Sequence, residues 1–189
     1  MKGKLIIFSA PSGSGKTTIV KRLLASDLKL EFSISACSRK KRENEVDGKD
    51  YYFLSPESFK QKIDKNEFLE WEEVYPGSFY GTLLSELDRI WENGNHVVFD
   101  VDVVGGANLK EKFDKEAIAI FVMPPSIQHL EERLRGRQTE SEETLKKRLD
   151  KATQELTYAD KFDEIVVNDD LDLAVEESYQ IVKSFIGSK

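Results

Sequence analysis

A glycine-rich segment near the start of the chain has the residue types needed to hold a phosphate group. Residues 10–17 read APSGSGKT, which fits the pattern G-x-x-x-x-G-K-[ST] except that Ala stands first. Gly13 and Gly15 allow backbone N–H groups to turn inward and approach an anion. Lys16 can reach the β- and γ-phosphates, and the Thr17 hydroxyl can ligate Mg²⁺. This phosphate loop predicts a nucleoside triphosphate site that comprises Ala10, Pro11, Ser12, Gly13, Ser14, Gly15, Lys16, Thr17 and Thr18.

The residues on either side of the phosphate loop support this interpretation. Residues 4–9 form a mostly apolar run that predicts a buried strand, and residues 18–24 predict a helix. The N-terminus of that helix would face the anion, where its free N–H groups favour negative charge. A glycine-rich turn that binds nothing is the alternative, and the strand and helix disfavour it.

The composition of the chain limits its class and its partners. The chain has 189 residues, 33% of them charged, which predicts one α/β domain with small inserted parts. A net charge of −7 argues against nucleic acid and against anionic membranes, which both attract basic surfaces. The single cysteine, Cys37, fits a reducing compartment. With no export segment and no long apolar run in the sequence, we expect a cytoplasmic protein with small-molecule substrates.

The hydrophobic pattern predicts a three-layer α/β fold with a mostly parallel central sheet. Continuous apolar runs, which are typical of parallel strands covered on both faces, occupy residues 5–9, 97–101, 118–122 and 165–167. Helical patterns lie between or after these runs, at residues 83–91, 127–135, 145–159 and 171–186. Such alternation favours an open sheet with right-handed crossover connections.

Two stretches interrupt this alternation. Residues 32–82, which include a possible strand over 32–36 and a short helix from Pro56, predict an inserted lobe with antiparallel strands. Residues 136–148 predict a short lid, beginning with a charged flap over 136–142. The expected organisation is therefore one domain whose core comprises residues 1–31, 83–135 and 149–189.

A cationic patch at residues 38–42 belongs to a longer motif. Taken alone, such a patch is usually a solvated loop. Its surroundings fit S-x-x-x-R-x-x-R-x-x-E-x-x-G-x-x-Y through Ser35, Arg39, Arg42, Glu45, Gly48 and Tyr51. Further along, the chain carries Glu70-Trp71, Tyr80-Gly81-Thr82, Asp100, Asp102, Pro124-Pro125-Ser126, Arg133, Arg137, Arg148 and Asn168-Asp169-Asp170. In these motifs, in this order, the chain resembles the guanylate kinase family of P-loop enzymes from residue 4 to about residue 186.

The resemblance implies an enzyme that transfers the γ-phosphoryl group of ATP to GMP, and also to dGMP, in purine nucleotide metabolism. It implies that the GMP phosphate is bound by Arg39, Arg42, Tyr51 and Tyr80, with Glu45 in the same pocket. Guanidinium forks and phenolic donors suit a group of anionic oxygens.

The resemblance also implies how guanine is distinguished from adenine. The carboxylates of Glu70 and Asp102 would accept hydrogen bonds from N1 and N2, and the hydroxyls of Ser35 and Thr82 would donate to O6. Adenine would leave those acceptors unpaired, and a hydrogen-bonded site can reject such an analogue by about 10⁴-fold. An exposed glutamate is the plainer interpretation of Glu70 when its neighbours are ignored.

The remaining implied roles concern the transferred phosphoryl group. Asp100 follows an apolar strand and would lie near Mg²⁺ with Thr17, while the division of roles between Asp100 and Asp102 stays open. Arg133, Arg137 and Arg148 resemble the lid arginines of the family, with surface salt bridging as the alternative for each. The predicted catalytic residues are Lys16, Arg39, Arg137 and Arg148, and Asn168 is predicted to contact the nucleotide.

The predicted chemistry needs alignment and charge stabilisation more than proton transfer. The attacking phosphate oxygen is already anionic at neutral pH, so neither His96 nor His129 is expected to act as a base. Water must be excluded, and we therefore expect open and closed states. A non-catalytic guanylate-kinase-like binding module and a kinase for another monophosphate are the alternatives. Both a monomer and a homodimer stay open.

Overall fold

The computed structural model describes residues 2–136 and 142–188. Its strands are β1 (Leu5–Ser9), β2 (Leu30–Phe32), β3 (Ala36–Cys37), β4 (Tyr52–Phe53), β5 (Phe68–Tyr75), β6 (Ser78–Leu83), β7 (His96–Asp100), β8 (Ala117–Met123) and β9 (Glu164–Val167). Its α-helices are α1 (Lys16–Leu24), α2 (Pro56–Asp64), α3 (Leu84–Glu92), α4 (Val103–Phe113), α5 (Ile127–Arg135), α6 (Glu142–Leu156) and α7 (Leu171–Gly187).

The contacts within the chain divide it into two compact units. The lobe unit comprises residues 1–3 and 31–97, and the core unit comprises residues 4–30 and 98–189. The division passes through β2 and β7. The segment limits expected from the sequence, with a lobe over 32–82 and a lid over 136–148, stay predictions.

The larger sheet has the strand order β2-β7-β1-β8-β9. Strand β1 pairs in parallel with β8, and β8 pairs in parallel with β9. The side chains of β1 are fully buried and those of β8 are buried up to Val122, as expected for strands covered on both faces. The prediction of a mostly parallel central sheet in an α/β fold is confirmed.

The lobe unit contains a second sheet, with the strand order β4-β3-β6-β5. Strand β6 pairs antiparallel with both β3 and β5, whereas β3 and β4 are parallel. Helix α2 begins after Ser55, whose side chain accepts a hydrogen bond from the Ser58 N–H. Phe59 stacks on Phe68 and Phe79 at centroid distances of 4.3 and 5.6 Å, which anchors α2 on this sheet.

Two sequence predictions about these elements were wrong or incomplete. The single strand expected over residues 32–36 is divided, because β2 ends at Phe32 and β3 begins at Ala36 in the other sheet. Between them the Ile34 N–H donates to the Glu86 side chain at 2.7 Å instead of to a strand. Helix α4 was not predicted, since its two glycines lower helix propensity. At Gly106 a Cβ would lie 2.3 Å from the Ser9 hydroxyl, so this helix needs glycine to pack against β1.

Within residues 2–136 and 142–188, none of the helices combines the length and the apolar character that crossing a bilayer requires.

Candidate active site

The phosphate loop connects β1 to α1 in the core unit. Gly13 and Gly15 have φ angles of 97° and 91°, a left-handed conformation that residues with a Cβ rarely adopt. A Cβ at Gly15 would also lie 2.1 Å from the side-chain nitrogen of Asn168. Both glycines are therefore required by geometry, and α1 begins at Lys16 with its N-terminus at the loop.

The loop lines a cavity of about 370 Å³ in the core unit. Its wall is formed by residues 10–18, by residues 100–102 at the end of β7, and by Glu155 of α6. Every residue that the sequence predicts for the triphosphate site, apart from Asn168, lines this cavity. The open N–H groups of a helix N-terminus and the Lys16 ammonium make this wall suited to a polyphosphate.

Lys16 and Asp100 form an ion pair inside this cavity. The Lys16 Nζ lies 2.5 Å from Asp100 Oδ1 and donates to the Val101 carbonyl at 2.8 Å. The Thr17 hydroxyl donates to Asp100 Oδ2 at 3.4 Å. The two residues that the sequence predicts as metal ligands, Thr17 and Asp100, are thus adjacent. Among the described residues there is no cluster of three His, Cys, Asp or Glu side chains that could hold a metal by themselves.

Asn168 lies against the phosphate loop. Its side chain is buried and donates from Nδ2 to the Ser14 carbonyl at 2.6 Å, while Arg133 donates to its backbone carbonyl at 2.9 Å. The predicted nucleotide contact of Asn168 stays a prediction. The structure shows that Asn168 holds the loop backbone itself, which sequence reasoning did not predict.

Asp102 and Glu155 are the other carboxylates of this cavity wall. Asp102 Oδ1 accepts from the Gly105 N–H at 2.7 Å and so caps α4, which leaves Oδ2 outside the cap. Glu155 is buried, and this burial raises the pKa of its carboxyl above the usual range. Sequence reasoning missed Glu155. Its spacing, three residues after Ala152 and four before Ala159, places it beside the predicted apolar stripe and could have indicated burial.

In the lobe unit, Arg39 lies at the centre of the predicted phosphate pocket. Its Nε donates to the Tyr80 hydroxyl at 3.1 Å, and its guanidinium lies 5.0 Å from the Tyr51 ring centroid. Its two terminal nitrogens donate to Glu45 at 2.6 and 2.5 Å. The hydrogen bonds from Arg39 lower the pKa of Glu45 to about 2, and those to Glu45 raise the pKa of Arg39.

Arg42 and a contact between the two tyrosines complete the predicted phosphate pocket. The Arg42 backbone N–H donates to Glu45 Oε2 at 2.8 Å, and the Arg42 side chain is exposed. The rings of Tyr51 and Tyr80 meet edge to face with centroids 6.1 Å apart. The structure therefore brings together the side chains of Arg39, Tyr51 and Tyr80, and Glu45 bonds to both Arg39 and the Arg42 backbone.

The predicted guanine contacts of the lobe lie on paired strands. Glu70 of β5 and Thr82 of β6 are partners in the sheet, and the Thr82 hydroxyl donates to Glu70 Oε1 at 2.7 Å. Thr82 is buried. Ser35 precedes β3, and its carbonyl accepts from the Tyr52 N–H at 2.9 Å. In this arrangement the Thr82 proton faces Glu70, so donation to a guanine O6 needs the hydroxyl to rotate.

The predicted lid arginines differ in how far the structure describes them. Arg133 lies in the last turn of α5 and donates to the Asn168 carbonyl. Arg148 lies half-buried on α6. Arg137 lies outside the described residues. His129 is paired with the Ser126 hydroxyl at 2.8 Å at the start of α5, and it is not among the residues that line the cavity.

Comparison with known proteins identifies the family. The family model for guanylate kinase matches residues 2–188. A guanylate kinase of Bacteroides thetaiotaomicron is 51% identical over 100% of this chain and 93% of its own length. One from Porphyromonas gingivalis is 52% identical, covering 97% of this chain and 98% of that protein. The crystal structure of guanylate kinase from Anaplasma phagocytophilum has a TM-score of 0.77 and 27% identity, covering 99% of this chain and 88% of that one. The chain belongs to the guanylate kinase family.

Proposed function

We propose that the chain transfers the γ-phosphoryl group of ATP to GMP and forms ADP and GDP. The observation that carries this proposal is the complete phosphate loop, in which Lys16 stands at the start of α1 behind two left-handed glycines. A non-catalytic binding module has no need of this ammonium group. The family membership supports the same reaction.

ATP would be held by the core unit. Its phosphates would accept hydrogen bonds from the loop N–H groups, and Lys16 would neutralise the β- and γ-phosphates. The bond from Asn168 to the Ser14 carbonyl keeps the loop backbone in place, so its N–H groups are oriented before ATP arrives. Preorganised donors of this kind need no rearrangement as charge shifts in the transition state.

Mg²⁺ is proposed to accompany ATP. Thr17 and Asp100 offer hard oxygen donors, and a site of one or two protein oxygens completed by phosphates and water is what Mg²⁺ prefers. The residues present therefore fit the ion, and Thr17 and Asp100 would hold it. When bound, the ion would neutralise negative charge on the phosphates.

The phosphate of GMP would be held by the lobe unit. Arg42 is exposed and can turn its guanidinium to the phosphate, and the Tyr51 and Tyr80 hydroxyls can donate to it. Arg39 supplies positive charge beside them, although most of its N–H groups already bind Glu45, Tyr80 and the Lys40 carbonyl. Glu45 would orient Arg39 and the Arg42 backbone without touching the phosphate.

Guanine would be recognised by the Glu70–Thr82 pair. The Glu70 carboxylate can accept from N1–H and N2–H, and both groups lie on sheet strands that fix their positions. The predicted roles of Ser35 and Asp102 at the base stay predictions. An adenine ring would present neither donor to Glu70, so AMP should be rejected by this residue.

The attacking oxygen of GMP carries charge already, so no described residue is assigned as a general base. The protein would contribute to catalysis by aligning the two phosphates, neutralising their charge and excluding water. Arg137 and Arg148 are proposed to contact the transferred group. We also propose that the enzyme is cytoplasmic, which the single cysteine supports, and that it does not bind nucleic acid, which the net charge of −7 supports. We further propose that it is a monomer or a homodimer and that it accepts dGMP.

The test is ADP formation from ATP and Mg²⁺ with a panel of GMP, dGMP, IMP and AMP. We expect GMP to give the highest kcat/KM and AMP a value lower by about 10³-fold or more. IMP, which lacks the N2 donor, should fall between them. Glu70→Gln should reduce the GMP preference, while the control Glu72→Gln, on the same strand but exposed, should keep it. Equal use of AMP and GMP by the unchanged chain would contradict the proposal.

A further inference from the structure

A buried carboxylate lies in the lobe unit among residues that the proposed reaction does not use. Glu86 is in the first turn of α3, and its side chain is 2% exposed. Glutamate is almost never buried to this degree unless it is paired, because a charge loses its hydration on leaving water. The position therefore requires strong partners.

The Glu86 carboxylate accepts four hydrogen bonds. Oε2 accepts from the Ile34 N–H at 2.7 Å and from Arg89 Nη2 at 2.8 Å. Oε1 accepts from the Tyr52 hydroxyl at 2.7 Å and from Arg89 Nε at 2.9 Å. A carboxylate has about four acceptor positions, so this group is fully satisfied.

In this network Glu86 stays ionised and Tyr52 stays protonated at neutral pH. Burial alone would raise the pKa of Glu86, but hydrogen bonds from Arg89, Ile34 and Tyr52 outweigh it and hold that pKa below the usual range. Burial, with the hydrogen bond to Glu86, raises the pKa of Tyr52 to about 12. The donors and acceptors of this network therefore do not change near neutral pH.

Arg89 extends the network to the segment before β3. Its Nη2 donates to the Phe32 carbonyl at 3.1 Å, and its Nη1 donates to Glu31. Glu31 in turn accepts from Asn95 Nδ2 at 2.8 Å. Residues 33–35 lie between β2 and β3, outside both strands, and Glu86 and Arg89 hold this connection through Ile34 and Phe32.

Each segment joined at Glu86 also carries a residue predicted to contact GMP. Ile34 precedes Ser35 in the chain, and Tyr52 follows Tyr51. Glu86 itself lies four residues after Thr82, where β6 leads into α3. Three segments distant in sequence therefore meet at one carboxylate.

We propose that Glu86 is a positioning residue for GMP, which fixes the segments that bear Ser35, Tyr51 and Thr82 before the nucleotide arrives. The inference rests on the proposed function, since it takes those three residues as GMP contacts. A site whose groups are held in place loses less conformational freedom on binding, so the network strengthens GMP affinity without touching the ligand. ATP binding, which the core unit provides, should be independent of it.

The test uses the full chain and two variants, Tyr52→Phe and Glu86→Gln. GMP binding is measured by calorimetric titration without ATP, together with kcat, the KM for each nucleotide and the Tm. Loss of the Tyr52 hydroxyl should weaken GMP binding about threefold, and Glu86→Gln should weaken it about tenfold or more. The KM for ATP should change less than about twofold in both. Glu67→Gln is the matched control, because the Glu67 side chain pairs with Lys62 at 2.6 Å in the same unit. The substitution keeps the Glu67 backbone carbonyl, which accepts from the Leu84 N–H at 2.9 Å.

A merely structural role for Glu86 would give another result. Both variants would then lower Tm and the active fraction but would keep the GMP dissociation constant and KM of the unchanged chain, and this would overturn the inference alone. If Glu86→Gln does not fold, unchanged GMP affinity in Tyr52→Phe would still overturn it. Failure of the unchanged chain to bind GMP would overturn the proposed function as well.

Discussion

Arg39 and Glu45 form a two-bond ion pair in the lobe unit, with both terminal guanidinium nitrogens on the two carboxylate oxygens. Glu45 also accepts from the Arg42 N–H at 2.8 Å, so one carboxylate orders the segment that carries both arginines. An arginine expected to bind a phosphate is therefore already oriented by a carboxylate. The pair makes Glu45 a support for the pocket more than a ligand of GMP.

Glu45→Gln should weaken GMP capture. The amide has one acceptor oxygen in place of two, so it cannot reproduce the two-bond pair with Arg39, and the segment that carries the two arginines loses order. We expect the KM for GMP to rise about tenfold and the KM for ATP to stay within about twofold. Steady-state kinetics with each nucleotide varied in turn measures both constants. A lower KM for GMP would show instead that Glu45 competes with the phosphate for Arg39.

The same pair predicts a dependence of stability on pH. The pKa of Glu45 is lowered from its ordinary value of 4.5 to about 2 in the folded protein. Its contribution to the free energy of unfolding is therefore complete above about pH 4.5 and is lost as the pH falls towards 2. Urea unfolding of the unchanged chain and of Glu45→Gln should give a difference at pH 6 that shrinks by pH 3. A difference that is constant over this range would exclude Glu45 as its source.

Lys16→Met should lower turnover severely. The ammonium that pairs with Asp100 at 2.5 Å is the charge available to the transferred phosphoryl group, and we expect kcat to fall by about 10³-fold. Lys21→Met, an exposed lysine on the same helix, is the matched control and should keep full activity. Undiminished turnover in Lys16→Met would remove Lys16 from the mechanism.

Asn168→Ala should affect ATP and not GMP. Without the side chain, the Ser14 carbonyl loses its donor and the loop backbone is free to shift, so we expect the KM for ATP to rise about tenfold. The neighbouring Asp169 is exposed, and Asp169→Ala should behave as the unchanged chain. An equal rise in both Michaelis constants for Asn168→Ala would indicate a general loss of structure.

The sequence was sufficient to predict the parts of the fold that rest on local patterns. Residues 5–9 and 118–122 form buried parallel strands. They could be predicted because strands that are covered by helices on both faces are apolar along their whole length. The phosphate loop was predicted for a similar reason, since its glycines and Lys16 are adjacent in the chain. The helix that begins at Ile127 could be located from its Ser126 cap.

Contacts between distant residues could not be predicted in this way. Glu86 has the appearance of a surface glutamate on an amphipathic helix, and only its bonds to Ile34 and Tyr52, 52 and 34 residues away, explain its burial. Helix α4 was missed because Gly106 lowers helix propensity, whereas its close packing on Ser9 is a tertiary effect. Asn168 was predicted at the nucleotide, yet its bond to Ser14 spans 154 positions.

The most direct test of the proposed reaction follows the fate of the γ-phosphoryl group. The unchanged chain is incubated with γ-labelled ATP, Mg²⁺ and GMP, and the products are separated. We predict that the label appears in GDP at the rate at which ADP forms, and that Lys16→Met transfers it about 10³-fold more slowly. Label released as inorganic phosphate at that rate, with no labelled GDP, would contradict the account.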